Sequence, residues 1–433
     1  MSAISEAIRR VLAPATPARL RLWTGLVIGT CFLLLVATSL LFSRVQDQVR
    51  VIGGQAVPQA ATAADLYFAL SDLDAQVARM VLAGDAAELS SSQLDALGTY
   101  QERSRQADAD LQRSLTVATS SADRAIVLEL MRHLAVYRRW VWQTLTAQSQ
   151  APPQPPGRLP PDALGYYTQA TNVLHFDLLP AAERLRDAGE ARLDRAYAAK
   201  RTTEVWAVVL AVVLGGGLAV LLVALQVWLA RRFRRLVNPA LVLATVLTLG
   251  LTTGACLVLV AQAQRLGAAR DDNLTPYLAL SRTRAVSYDA AADTSRYLLS
   301  GNLGLYRQDF TRKSACVVQG CGSAGLEPGS VSLDRWLGYQ RGHQRVVALA
   351  DSGRTAAAVD VVTGIRRGDA AFDFFYFDAA IGAAAAARKA GFDVALRDGE
   401  RLLTGWPLLP VPVLGVVMLL VLGGVRKRLG EYR

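Results

Sequence analysis

Hydrophobic positions follow two patterns along this chain. In residues 22–43, 205–230, 240–260 and 405–425 they run almost without interruption. A hydrocarbon core about 30 Å thick needs about 20 helical residues at 1.5 Å rise each, so each run predicts a membrane-spanning helix. Elsewhere apolar residues recur every three or four positions, the period of a helix with one buried face. Leu66, Leu70, Leu73, Val77 and Met80 form one seam; Val127, Leu130, Leu134, Tyr137 and Val141 form a second; Leu174, Leu178, Ala181, Leu185 and Ala188 form a third. A more polar helix is expected from Ser90 to Ala118, with a cap at 121–123 before the next. The prolines between 151 and 161 predict an extended linker. Residues 44–204 therefore predict an antiparallel four-helix bundle whose outermost helices continue from the first span and into the second without a breaker.

Residues 261–404 repeat the plan. The stretch from Asp74 to Asp85 aligns at constant spacing with that from Ala291 to Asn302, sharing Arg-x-x-Leu-(Ala/Ser)-Gly-(Asp/Asn). Gly followed by Asp or Asn suits a helix C-cap. The predicted architecture is all-α and polytopic: four transmembrane helices and two extracytoplasmic helical bundles in a tandem span–bundle–span duplication. The second copy is shorter, and its aromatic run 372–377 has no counterpart in the first.

Charge sets the expected orientation. The formal net charge is +11, and nearly all the excess lies in three short pieces. Residues 1–21 carry Arg9, Arg10, Arg19 and Arg21; residues 231–239 carry Arg231, Arg232, Arg234 and Arg235; residues 426–433 carry Arg426, Lys427 and Arg428. Short Lys/Arg-rich pieces stay cytoplasmic, so both termini are expected inside the cell membrane and both long polar stretches outside. The basic character then reports topology and attraction to membrane lipids, not nucleic acid. The first run exceeds the apolar core of a usual signal peptide and is not followed by a small-residue cleavage site, which predicts a retained anchor. Arg outnumbers Lys 43 to 4, which together with abundant Ala suggests a GC-rich bacterial genome.

Candidate chemistry is sparse. Cys316 and Cys321, with Gly320 between them, predict a local disulfide; metal binding would lack partners, since His343 is the only nearby histidine. His133 and His175 fall on bundle helices, where a structural role is expected. No nucleophile–base spacing, phosphate loop or paired-carboxylate motif stands out, so neither an enzyme nor a cofactor is predicted. Gly215, Gly216 and Gly217 lie inside a span and predict close helix approach or local flexibility rather than phosphate binding. The spans hold no Asp, Glu, Lys or Arg between their ends, which argues against an ion or proton path. Arg79 and Arg296 occupy matching places in the two copies and are candidates to grip a carboxylate, against the plainer reading of solvated helix-face charges. Trp140 and Trp142 are candidate bundle-packing or partner-anchoring residues; Trp206, Trp228 and Trp406 suit an interfacial belt.

Two span–bundle–span units with no cytosolic domain resemble the actinobacterial GlnX-type membrane proteins. The stretches 64–79, ADLYFALSDLDAQVAR, and 165–172, GYYTQATN, look like the best-marked parts of that family. The individual bundles are also similar to the four-helix sensor domains of bacterial chemoreceptors. The GlnX resemblance implies two partners, an extracytoplasmic glutamate-binding lipoprotein and a soluble cytosolic serine/threonine kinase, PknG; it carries no catalytic residues.

The expected function is a transmembrane sensor that relays the state of an amino-acid-binding protein to that kinase. The short basic pieces, with an amphipathic helix built on Ile4, Ile8, Val11 and Leu12, would make the cytoplasmic contact. Two other readings stay open at this point: a non-switching envelope scaffold, and a four-span permease-like transport subunit. A homodimer is a further expectation, since bundles of this sort pair.

Overall fold

The computed structural model describes residues 16–84, 89–118, 120–233, 238–321 and 325–429, and the backbone alone of 16–21, 232–233 and 426–429. Every element is helical, with no strand among the described residues. The helices are α1 (Thr16–Val51), α2 (Val57–Ala83), α3 (Ser90–Val117), α4 (Ser121–Gln150), α5 (Pro161–Val173), α6 (Leu179–Phe233), α7 (Pro239–Ala269), α8 (Thr275–Leu299), α9 (Gly304–Gln319), α10 (Val331–Asp351), α11 (Thr355–Thr363), α12 (Ala370–Leu403) and α13 (Pro410–Leu429).

Two compact units share these helices. The span unit takes the described parts of Met1–Ile52, Arg195–Ala268 and Val394–Arg433; the polar unit takes Gly53–Asp194 and Ala269–Asp393. The two polar stretches, read from sequence as two bundles, thus belong to one compact body. The chain crosses between the units four times, in two manners. Twice it passes through an unbroken helix, α6 or α12. Twice it passes at a five-residue π-type turn, Ile52–Ala56 or Arg270–Leu274. Each of those turns is followed by a proline, Pro58 or Pro276, and a third turn, Leu174–Leu178, precedes Pro180. Proline has no N–H to donate and its ring crowds the carbonyl four residues back, so a locally widened turn absorbs it without ending the helix.

Among the described residues four helices are long and apolar enough to cross a membrane by length and composition, the mark of a multi-pass membrane protein. Alanine-rich α12 meets that measure, but its Phe377 and Ile381 pack in the polar-unit core. It also carries Asp373, Asp378, Arg388, Lys389 and Asp393. Helix α13, 20 residues long, instead packs Leu414, Val417, Val421 and Val425 with Val27 and Leu34 of α1 and Leu218 and Leu222 of α6. The fourth apolar run of the sequence is thus carried by α13, a shorter apolar helix that packs with α1 and α6. It starts at Pro410 rather than at 405, because Gly405 (φ +88°) and Pro407 shape a run of turns before it.

Of the three consecutive glycines in α6, only Gly215 makes a close approach. A Cβ there would lie 2.7 Å from Cγ2 of Thr252 on α7 and overlap its Oγ1, whereas Gly216 and Gly217 face open space. Gly215→Ala is expected to destabilise the span unit by about 1–3 kcal/mol through overpacking. Gly216→Ala and Gly217→Ala should be neutral or slightly stabilising, since Ala is the better helix former. Thermal unfolding of the detergent-solubilised protein reads this, and Thr252→Ala should rescue the first variant.

The polar unit is organised around α2 and α8, which are buried on nearly all faces over residues 68–78 and 292–299. All residues of the first two apolar seams are buried, as are Leu174, Leu178, Ala181 and Leu185 of the third. Trp336, Tyr339, Phe374 and Phe377 add an aromatic cluster, with Trp336 and Phe377 4.9 Å apart. Both central helices end on a glycine of positive φ, Gly84 (+58°) and Gly301 (+69°), the matched caps of the duplicated motif. The proline-rich linker turns at Gly157 (φ +81°), whose N–H donates to the carbonyl of Leu82 at 3.1 Å.

Candidate functional site

Burying α2 and α8 on all sides forces their polar residues inward, where each must find a partner. Arg296 of α8 is 1% exposed. It donates to Asp74 of α2, to Asp293 and, at 3.2 Å, to Asp289. Lys313 of α9 reaches Asp289 at 2.8 Å and Asp293 at 2.7 Å. Tyr137 of α4 donates to Asp74 at 3.3 Å. His175, in the turn after α5, places Nδ1 2.9 Å from the carbonyl of Thr171 and Nε2 3.1 Å from Asp289. Three carboxylates thus face two permanent cations, and both nitrogens of one imidazole face oxygen acceptors.

The electrostatics are those of a closed ion cluster. Burial opposes ionisation of Asp289, yet Lys313, His175 and Arg296 hold its carboxyl well below the usual range. Burial likewise opposes the Arg296 charge, and Asp74, Asp293 and Asp289 outweigh it, keeping the guanidinium cationic. These groups pair chiefly with one another through both terminal nitrogens of Arg296, while its buried Nε has no partner among the described residues. What they do is tie α2 of the first copy to α8 of the second, with α4, α9 and the α5 turn drawn in.

The duplication explains the layout. The spacing that relates Arg79 to Arg296 also relates Asp72 to Asp289, and each of these carboxylates, the first buried and the second partly so, pairs with a cation on the helix that follows. Asp72 takes Nε of Arg103 on α3 at 2.5 Å, and Asp289 takes Lys313 on α9. Asp74, however, aligns with Ala291, so the ion pair between copies forms in one direction only. Extending the internal alignment two residues upstream would have exposed the Asp72/Asp289 match in the sequence. The partners Lys313, His175 and Tyr137 come from distant segments and had no such signal.

The predicted site residues separate accordingly. Arg296 belongs to the buried cluster, while Arg79 is part-exposed, bonding Gln76 at 2.9 Å and Asp95 at 3.2 Å. Trp140 stacks on Tyr166 at 5.9 Å and packs against the core, whereas Trp142 is 71% exposed. Cys316 and Cys321 are joined by a disulfide, Cα–Cα 4.8 Å, around Gly320. Arg231 is exposed at the end of α6. Arg19, Arg21, Arg232, Arg426, Lys427 and Arg428 lie on helical backbone, while Arg9, Arg10, Arg234 and Arg235, with Ile4, Ile8, Val11 and Leu12, fall outside the described residues. One buried pair had no sequence signal: Lys200 and Glu204 of α6, within the span unit, form an ion pair at seam positions just before the second apolar run.

His343 gives the polar unit a readable titration. It is buried, stacked on Phe310 at 3.5 Å between ring centroids, and bonded through Nδ1 to Thr294 at 2.9 Å. Burial, then the nearby Arg307, lowers its pKa from 6.5 to about 4. Between those values the unfolded chain takes up a proton that the folded chain refuses, so His343 weakens the fold as pH falls from about 6.5 to about 4. The His343→Gln variant should lose stability less steeply than the parent across that window in thermal melts. Parallel curves would remove this assignment.

Residues 48–198 match the family model described as an actinobacterial sensor domain. The match begins in the last residues of α1, takes in α2 to α5, and ends in α6 before the second apolar run. The first copy is thus a sensor domain of actinobacterial type, and the chain's role is in signalling. No curated protein and no solved structure matches the chain.

Proposed function

We propose that this chain is a transmembrane relay: an extracytoplasmic amino-acid-binding lipoprotein acts on the polar unit, and the span helices carry the change to a cytosolic serine/threonine kinase. The observation that carries the reading is α6, which runs 55 residues without a break from the sensor-domain match through the second apolar run. A regular helix is stiff along its axis, so displacement of one end shifts the other. In each copy the chain enters the polar unit through a π-type turn; in the first copy it returns along the unbroken α6, whereas in the second α12 ends in a run of turns before α13, so the first copy is the one suited to moving one helix of a pair against its neighbour. The Arg-rich pieces favour cytoplasmic termini and a cytoplasmic connection between the second and third spans.

The docking surface favoured for the lipoprotein is the outward stripe of α4. Leu128, Met131 and Trp142 are exposed there, as is Phe176 on the neighbouring turn. Exposed aromatic residues of this kind serve as interface anchors. The test is crosslinking and capture with the full-length protein in membranes, with and without the amino acid. Both partners should be recovered, with yields that depend on the amino acid, and Trp142→Ala with Phe176→Ala should lower lipoprotein recovery at least about tenfold. Recovery of neither partner under either condition would end this reading.

A further inference from the structure

We propose that the span unit carries a site for one anionic phospholipid, in a groove between α1, α6 and α7, with the headgroup phosphate on Arg231. The groove holds about 610 Å³ and is walled by Trp23, Val223, Val227, Trp228, Arg231 and Leu249. It is aliphatic along its length, and its one charge is at one end. That polarity of lining is the chemistry of an amphiphile: hydrocarbon against Val223, Val227 and Leu249, an anion against the guanidinium.

Its depth fits one leaflet. Along α6 the lining runs from Ala219 to Arg231, about 18 Å at 1.5 Å per residue. Half of a hydrocarbon core of about 30 Å is about 15 Å, so acyl chains would lie in the groove while the phosphate reaches Arg231. Trp23 and Trp228 flank the charged end, where indoles favour the headgroup level. Ala219 and Ala224 leave the space, so the lipid would seat in a concavity formed by three helices rather than along a ridged helix face. Arg231 is exposed, and Arg232, Arg234 and Arg235 follow it in sequence, so the charged mouth favours an anionic headgroup over a zwitterionic one. The Thr245 hydroxyl, also on the groove wall, bonds both Gln226 (2.9 Å) and its own helix carbonyl at Leu241 (2.9 Å), which leaves the guanidinium as the group for the phosphate.

The experiment is native mass spectrometry of the full-length protein in detergent, titrated with dioleoyl phosphatidylglycerol or dioleoyl phosphatidylcholine. One phosphatidylglycerol should bind about fivefold more tightly than phosphatidylcholine, and Arg231→Gln should erase the difference. Val223→Trp, which fills the groove and keeps the charge, should remove one bound molecule of either lipid; Ala224→Leu serves if that variant does not fold. Inorganic phosphate should not compete, because it lacks the chains that the groove holds. Equal binding of the two lipids by the parent protein would overturn the site. So would a preference that survives Arg231→Gln and disappears only when Arg232, Arg234 and Arg235 are neutralised, or full lipid binding in both filled variants.

Discussion

Arg296→Met is expected to lower the stability of the polar unit by about 3–5 kcal/mol, because it leaves Asp74 and Asp293 buried with their main cation gone. Lys313 still faces Asp289 and Asp293, but Asp74 keeps only the Tyr137 hydroxyl among its bonded partners. The duplicated motif supplies an internal control: Arg79→Met, at the matching position, removes a part-exposed pair with Asp95 and should cost about 1 kcal/mol or less. Thermal unfolding of the solubilised protein, following near-ultraviolet signals of the polar-unit aromatic cluster, compares the two. The double variant Arg296→Met with Asp74→Leu should recover part of the loss, since replacing both members of a buried pair by apolar residues is far less damaging than removing one. Similar losses for Arg79→Met and Arg296→Met would mean that the cluster does not hold the two copies together.

Ala198→Pro tests the stiffness of α6. Ala198 is exposed, between the polar-unit portion of the helix and the second apolar run, so the substitution disturbs no packed side chain. Proline there removes one backbone hydrogen bond and crowds the carbonyl four residues back, a local cost of about 3 kcal/mol with a kink. Under the proposed relay, lipoprotein capture should persist while amino-acid-dependent phosphorylation by the kinase falls to background. Ala198→Gly, at about 1 kcal/mol, should give a partial loss. An undiminished response in the proline variant would sink the rod-like role of α6. The native prolines at 58, 180 and 276 differ because a widened turn precedes each and already accommodates the ring.

Periodicity and charge made much of this protein legible before any coordinates. Long apolar runs can be satisfied only as helices crossing hydrocarbon, and residues stepping by three and four can bury one face only as helices. The spans, the seams and the glycine-capped repeat follow from those local rules. The helix over the fourth apolar run begins at Pro410 because prolines at 407 and 410 alter where a helix can begin, a detail the hydropathy of the segment does not carry.

The joining of the two polar stretches was not written in either stretch. It depends on which helix faces meet, and those are chosen by packing over more than 200 residues of separation, as the bond from Arg296 to Asp74 illustrates. A motif shared by two copies identifies Arg79 and Arg296 as equivalents. Only their surroundings make one a surface cation and the other the centre of a buried network, because solvation and pairing belong to the neighbours a side chain acquires and not to the side chain itself.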